Sequence, residues 1–138
     1  METEISEQLT PAVLRRLTDE KELDDVKRIE LSIDTECVTL TELGSHLINL
    51  TELKLTTPSY LPTLRKLGTL PHLKVLWASA VGLENIDGTS GLTTLREMYI
   101  SYNQITDLSP LAYLEHLEVL DIESNYVESG NRKRSRKS

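Results

Sequence analysis

The chain repeats one pattern of aliphatic residues at a fixed spacing. The stretch YISYNQITDLSPLAYLEHLEVLDIESNYV, residues 99–127, contains ISYNQI and IESNYV 22 residues apart. At this spacing five positions agree: Leu95, Met98, Ile100, Asn103 and Ile105 coincide with Leu117, Leu120, Ile122, Asn125 and Val127. The shared frame is L-x-x-L-x-L-x-x-N-x-L, so one short piece of structure is built at least twice.

Earlier parts of the chain carry looser copies of this frame. Toward the N-terminus it is matched by Leu73, Leu76, Ala78 and Leu83, then by Leu50, Leu53, Leu55 and, after one inserted residue, Leu61, and then by Val26, Ile29 and Leu31. Val81 and Asp34 stand where the asparagine is expected. This is the leucine-rich repeat pattern, in which units bury their apolar faces only by stacking on one another, and about five units are predicted.

These features predict an α/β fold: a right-handed leucine-rich repeat solenoid with a parallel sheet on its concave face and short 3₁₀ or helical turns on its convex face. The spacing and the segment DLSPLAYL favour the short-repeat class, with Ser109 as a cap and Pro110 opening a return turn. The predicted parts are a capping helix and acidic connector at 1–25, repeats at 26–129 and a basic disordered tail at 130–138.

The segment LTPAVLRRL predicts a helix that covers the first repeat. Thr10 can cap it, and Pro11 suits its first position because that N–H would have no helical partner. Val13, Leu14 and Leu17 make one apolar face. Such a helix would shield the open edge of the sheet and the uncovered spine.

The opposite end of the array carries no comparable cap. After Val127 the sequence turns polar and ends in NRKRSRKS, which holds five of the 15 Lys and Arg residues. An open solenoid end exposes apolar surface, so either a partner or a second copy of the chain covers the last repeat, or the chain is a shortened form of a longer protein. We expect the isolated chain to self-associate through this end. The basic segment could be a nuclear import signal, a contact for tubulin or another anionic surface, or a solvated end.

Composition and charge indicate in which cellular compartment the protein acts. No stretch approaches the roughly 18 apolar residues of a membrane span, and the acidic start METEISEQLTPA is unlike a secretory signal. The single cysteine, Cys37, cannot form an internal disulfide. The net charge of −7 becomes −12 without the five basic residues at the end, which argues against direct binding of a nucleic-acid backbone. An intracellular protein without membrane or nucleic-acid contact is expected.

The candidate binding surface is the concave face of the sheet. Alternation along each strand sends the residues between the spine positions to that face, and the central column should read Glu30, Lys54, Trp77, Tyr99 and Asp121. Exposed aromatic rings among charges are typical of protein-binding hot spots, although the rings could also simply shield the sheet. The predicted protein-binding residues are Trp77, Tyr99, Tyr102, Lys54, Glu97 and Asp121.

Catalytic and metal-binding patterns are lacking in the sequence. His72 and His116 occupy the same repeat position, which indicates repeat register rather than a ligand pair. No phosphate-binding loop, nucleophile motif or His/Cys/Asp cluster with metal-ligand spacing is present. Asn103 and Asn125 are interpreted as structural residues that bond neighbouring backbones. We therefore expect no enzymatic activity, cofactor or metal.

Beyond the repeat frame, the chain resembles the leucine-rich repeat-containing protein 56 family of ciliary and flagellar proteins over about residues 7–129. The stretches VLWASAVGLENIDG and YISYNQITDLSPL carry the resemblance, because their Trp77, Tyr99 and Tyr102 are not demanded by the repeat frame. The resemblance implies a non-catalytic adaptor for assembly or intraflagellar transport of outer dynein arms. It implies dynein-arm or transport components as partners and a location in the cytoplasm and at the cilium, flagellum or basal body.

Two other functions remain open. The same short-repeat class includes a nuclear component of a splicing ribonucleoprotein and a regulatory subunit of protein phosphatase 1. The basic end suits a nuclear protein, whereas the phosphatase regulator has many more repeats, and an acidic concave face gives no direct hint of RNA.

Overall fold

A computed structural model describes residues 5–56 and 58–127, and within them five parallel strands form one sheet in the order of the chain. The strands are β1 (Arg28–Leu31), β2 (Glu52–Leu55), β3 (Val75–Trp77), β4 (Glu97–Tyr99) and β5 (Val119–Asp121). Equivalent repeat positions pair across the sheet, so that Leu76 lies opposite Leu53 on one side and Met98 on the other. The predicted solenoid with a parallel sheet is confirmed.

The helix predicted ahead of the repeats is α1 (Pro11–Thr18). The Thr10 side chain accepts the N–H of Val13, as expected of a cap. Val13 and Leu14 are buried against the first repeat. The prediction for Leu17 is wrong: its side chain is 40% exposed, because it lies in the last turn and lines an open depression beside acidic and basic side chains.

A segment before α1 also contacts the first repeat. The Ile5 N–H donates to the carbonyl of Ser32, and the N–H of Asp34 donates to the carbonyl of Ile5. This pairing continues the sheet beyond the end of β1 and was not foreseen from the sequence. The start of the array is therefore covered by both α1 and this short segment.

The convex side is built of tight turns, as predicted for the short-repeat class. A single helical turn, α2 (Leu43–His46), follows β1, and 3₁₀ turns occupy Leu64–Leu67, Thr89–Gly91 and Ser109–Tyr113 after the next three strands. The capping role predicted for Ser109 is wrong. Ser109 is the first residue of its turn, and the Asp107 carboxylate accepts its N–H at 2.9 Å, while Pro110 does lie in the first turn.

The hydrophobic core is one continuous spine between the sheet and the convex turns. Leu53, Leu76, Met98 and Leu120, one from each of β2 to β5, are fully buried. Burying a leucine side chain stabilises the fold by about 1.5–3 kcal/mol, so the stacked column contributes far more than one unit could. In the last unit Leu117, Ile122 and Val127 are only partly buried. Self-association through this unit stays a prediction.

Asparagine side chains tie neighbouring units together. The Oδ1 of Asn103 accepts the N–H groups of Val81 and Leu83, both at 3.0 Å. The Asn125 Oδ1 accepts the N–H of Ile105 at the same distance. The amide nitrogen of Asn103 donates to the carbonyls of Ala78, Ile100 and Ser101. The structural interpretation of these asparagines is confirmed.

The units that lack the asparagine replace its hydrogen bond in other ways. Where Val81 stands, its own carbonyl accepts the N–H of Leu61 at 2.7 Å. One unit earlier, the buried Ser59 hydroxyl accepts the N–H of Ile33 at 2.8 Å. The inter-unit hydrogen bonds therefore continue along the array although the sequence pattern decays.

The basic stretch at 130–138, predicted to be disordered, lies outside the described residues, as do residues 128–129 at the predicted end of the repeats. In the part of the chain that the structure describes, every helix is too short or too polar to cross a membrane.

Candidate functional site

The concave face of the sheet brings most of the predicted site residues together. It is made of the side chains of β1–β5 that point away from the spine and of residues one or two positions after each strand. These are Arg28, Glu30, Ser32, Glu52, Lys54, Thr56, Val75, Trp77, Ser79, Glu97, Tyr99, Ser101, Val119, Asp121 and Glu123. Glu30 pairs with Lys54, which pairs with Trp77, and Tyr99 lies between Trp77 and Asp121. The predicted central column is confirmed residue by residue.

Two aromatic rings stack at the centre of this face. The centroids of Trp77 and Tyr99 are 3.8 Å apart, and the ring planes differ by 11°. Parallel strands are about 4.8 Å apart, so rings at paired positions meet face to face when they lean toward each other. Trp77 remains 39% exposed, whereas Leu76 and Met98 beside the pair are fully buried in the spine. The stack is therefore an addition to the sheet surface and not a part of the core.

The hydroxyl of Tyr99 is held by the neighbouring acid on its own strand. It donates to Oε1 of Glu97 at 2.6 Å. This hydrogen bond, with smaller effects of partial burial and of the charges of Glu97 and Asp121, raises the pKa of Tyr99 above its ordinary value of 10.0. The hydroxyl stays protonated at neutral pH, and the hydrogen bond restricts the orientation of the ring.

Lys54 extends the aromatic pair toward the N-terminal strands. Its Nζ lies 5.7 Å from the centroid of the Trp77 ring, within cation–π range. In the column of side chains beside the central one, Arg28 and Glu52 form an ion pair at 3.6 Å. A depression next to the Trp77 ring is lined by Arg28, Ile29, Glu30, Glu52, Lys54 and Trp77. The repeat register placed Arg28, Glu30 and Glu52 on the concave face, but they were not among the predicted protein-binding residues.

The C-terminal side of the stack is acidic and polar. Asp121 lies next to Tyr99, and its Oδ1 accepts the N–H of Glu123 at 3.1 Å. The hydroxyls of Ser79 and Ser101 bond to each other at 2.9 Å across β3 and β4. That bond was not predicted from the sequence. Ser79 and Ser101 occupy the same position in successive repeats, and this signal could have indicated it.

Tyr102 does not join the aromatic pair. It follows Ser101 in a left-handed backbone conformation with φ 58°, and its side chain is 61% exposed. Ala80 and Ser124, at the same repeat position, adopt nearly the same φ of 55° and 61°, so this turn is a property of the repeat. In this turn the side chains no longer alternate between the two faces of the sheet as they do in β4. Tyr102 therefore does not reach the stack, although it is only three residues from Tyr99 in the sequence.

Residues 5–56 and 58–127 contain no group of three or more His, Cys, Asp or Glu side chains that could hold a metal ion. His72 and His116 are exposed residues in turns. The concave face thus offers aromatic surface, charges and hydrogen-bonding groups, which are the contacts that proteins use to bind other proteins.

The last two repeats match a known repeat family. Residues 93–129 match the family described as leucine-rich repeats, two copies. This range contains β4, β5 and the two asparagines that fit the frame best. Leucine-rich repeat domains are generally non-catalytic modules that mediate protein–protein interactions.

Three curated proteins are similar to nearly the whole chain. Leucine-rich repeat-containing protein 56 of Mus musculus is 48% identical over 125 residues, covering 90% of this chain and 22% of the mouse protein. The Homo sapiens protein of that name is 49% identical over 125 residues, covering 90% of this chain and 23% of its own length. The Rattus norvegicus protein is 47% identical over 128 residues, covering 92% and 23%.

The predicted resemblance to the leucine-rich repeat-containing protein 56 family is confirmed by these matches. The chain is a leucine-rich repeat protein homologous to part of those relatives, and it spans less than a quarter of their length. The homology includes the repeats that carry the aromatic pair.

Proposed function

We propose that the chain acts as a non-catalytic protein-binding adaptor whose concave face binds the partner. The observation that carries this proposal is the stacked, partly exposed pair of Trp77 and Tyr99. A tryptophan ring is costly to leave in water, and the spine beneath the sheet does not need it. Aromatic residues in the centre of a surface, with polar groups around them, are the usual anchors of protein interfaces.

The geometry of the pair also reduces the cost of binding. Each ring limits the rotamers of the other, and the hydrogen bond from Tyr99 to Glu97 fixes the outer end of the phenol. A side chain that is already ordered loses less conformational entropy when a partner arrives. The strands below it are held by a fully buried spine, so the site rests on a rigid support.

The cellular role that we propose is assembly or intraflagellar transport of outer dynein arms in cilia or flagella. The support is the sequence identity of 47–49% to leucine-rich repeat-containing protein 56 of three mammals. The proposed partners are dynein-arm or intraflagellar transport components, and the proposed location is the cytoplasm and the cilium, flagellum or basal body. The proposed mechanism is binding and carriage of a protein cargo without covalent chemistry.

The test is localisation and co-purification in a ciliated cell. The full chain would be tagged, imaged during ciliary growth, and purified with its bound proteins beside the Trp77→Ala, Tyr99→Ala double variant. Tyr113→Ala is a matched control, since Tyr113 is a 69% exposed aromatic residue on the convex side. We expect ciliary or basal-body signal and dynein-arm or transport proteins with the wild type and the control, and loss of those proteins with the double variant.

Other outcomes would contradict parts of the proposal. Nuclear signal with splicing or phosphatase components would contradict the ciliary role and favour the nuclear alternatives. Equal recovery of partners by the double variant would contradict the binding role of the concave face, wherever the protein is located.

A further inference from the structure

The concave face differs in charge between its two halves. On the N-terminal side of the stack, Arg28 is paired with Glu52, and Lys54 lies over Trp77. On the C-terminal side, Tyr99 is surrounded by acidic residues that form no ion pair within residues 5–56 and 58–127. These residues are Glu97, Asp121 and Glu123. The aromatic pair thus stands at the border between a charge-balanced half and an acidic half.

The acidic side chains keep acceptor capacity for a partner. Glu97 accepts the Tyr99 hydroxyl with Oε1, and Asp121 accepts the Glu123 N–H with Oδ1. Each carboxylate has two oxygens with about four acceptor sites in total, so one or two hydrogen bonds do not saturate it. Glu123 is an exposed residue at the open side of the face. These carboxylates can accept hydrogen bonds from a docking segment without breaking those that order the site.

The aromatic pair itself has one open side. Trp77 covers one face of the Tyr99 ring, and Lys54 already places a cation near the far side of Trp77. The remaining side of the Tyr99 ring lies toward β5, the strand that carries Asp121. A planar guanidinium suits this position best, since it can stack on an aromatic face and pair with carboxylates at the same time.

We propose that the partner segment bound by the concave face is basic, with an arginine placed on the β5 side of Tyr99 between Asp121 and Glu123. This inference rests on the proposed function and specifies its partner. An acidic segment would be repelled by three carboxylates, and a wholly apolar segment would remove them from water without offering ion pairs, which is costly. Charge complementarity therefore selects a basic occupant.

The test uses a random-peptide library selected on the immobilised full chain. Enriched peptides would be compared in Arg and Lys content with the unselected library, and the dissociation constant would then be measured for individual synthetic peptides. The key variant is Asp121→Asn with Glu123→Gln, which removes charge but keeps the shape and the acceptor for the Glu123 N–H. The matched control is Glu36→Gln with Glu115→Gln, which removes two exposed charges in turns that are not part of the concave face.

The expected result is enrichment of arginine-containing peptides that bind in a salt-sensitive way. Two exposed ion pairs are worth about a fivefold change in Kd, so the Asp121/Glu123 variant should weaken binding by about that factor and the control by less than about twofold. Raising the salt to about 0.5 M should weaken binding to the wild type and reduce the difference between the variants.

Each contrary result has a separate meaning. Peptides that lose affinity with Trp77→Ala, Tyr99→Ala but carry no basic excess would overturn the basic-partner inference and leave the proposed function intact. Peptides insensitive to the aromatic double variant would overturn both. Equal weakening by the control would show non-specific attraction to an acidic protein. Tighter peptide binding after replacement of Arg132, Lys133 and Arg134 by Gln would make the chain's own basic segment the occupant and overturn a separate partner.

Discussion

The ring of Trp77 lies flat on the ring of Tyr99, with 3.8 Å between centroids, although the two residues are 22 positions apart in the chain. The repeat spacing produces this contact because β3 and β4 pair in register and place the two residues at the same height in the sheet. A surface feature of this kind needs both the regular repeat and two aromatic substitutions at a position where the repeat demands none. It is the feature on which the proposed function depends.

The role of α1 in covering the first repeat predicts unequal effects for its two leucines. Leu14 is fully buried, whereas Leu17 is 40% exposed. Leu14→Ala should lower the free energy of unfolding by about 2–5 kcal/mol, because it leaves a cavity between α1 and the spine. Leu17→Ala should cost less than about 1 kcal/mol. Urea unfolding measures both values, and similar costs would mean that α1 does not close the array as described.

The hydrogen bonds between units predict a ranking of the asparagines. Asn103 is buried and accepts two backbone N–H groups, whereas Asn125 accepts one and is partly exposed. Asn103→Ala should cost about 3 kcal/mol, since it leaves two buried N–H groups without acceptors, and Asn125→Ala about 1 kcal/mol. The urea midpoint should shift accordingly at constant m. A cost for Asn125→Ala equal to or above that for Asn103→Ala would contradict this.

The bond from Tyr99 to Glu97 predicts a pH effect in the alkaline range. The folded state holds the Tyr99 proton more tightly than the unfolded chain does, because Glu97, burial and Asp121 raise its pKa above 10.0. The resulting stability is present below pH 10.0 and is lost as the pH rises through the raised pKa. In Glu97→Gln the midpoint of the Tyr99 titration should fall toward 10.0. The stability that the protein loses at alkaline pH because of Tyr99 should then be smaller.

This titration can be followed at Tyr99 itself by carbon NMR of the labelled tyrosine ring. Glu84→Gln is a suitable control, since Glu84 accepts a hydrogen bond from Tyr60 in the same manner and should change only that residue's titration. A Tyr99 midpoint that is the same in wild type and Glu97→Gln would show that the carboxylate does not set the pKa.

The fold was predictable because its information lies in spacing. Once the frame was aligned on Asn103 and Asn125, the register of all five strands followed, and with it the position of Trp77 opposite Tyr99. Short-range patterns were less reliable. Ser109 was expected to cap a turn, but the neighbouring Asp107 offers a carboxylate two residues earlier and accepts the N–H instead. The spacing of residues in the sequence does not show which of several nearby side chains will accept a given backbone N–H.

Contacts between distant segments also escaped prediction. Ser59 takes the place of the missing asparagine only because the one-residue insertion moves its hydroxyl next to the N–H of Ile33. The pairing of Ile5 with the end of β1 has no periodic signal, since it occurs once. The positions of the site residues on the sheet could be predicted from the strand register. The stacking of the two rings and the hydrogen bond from Tyr99 to Glu97 depend on side-chain rotamers, which only packing decides.

The most direct test of the account is the affinity of a purified partner, recovered from ciliated cells, for the Trp77→Ala, Tyr99→Ala variant. Calorimetric titration would compare this variant with wild type and with Tyr113→Ala, after circular dichroism has shown that all three are folded. We expect the double variant to lose about 2 kcal/mol or more of binding free energy, a roughly thirtyfold weaker Kd, and Tyr113→Ala to bind as the wild type does. Equal affinity of the double variant and the wild type would contradict it.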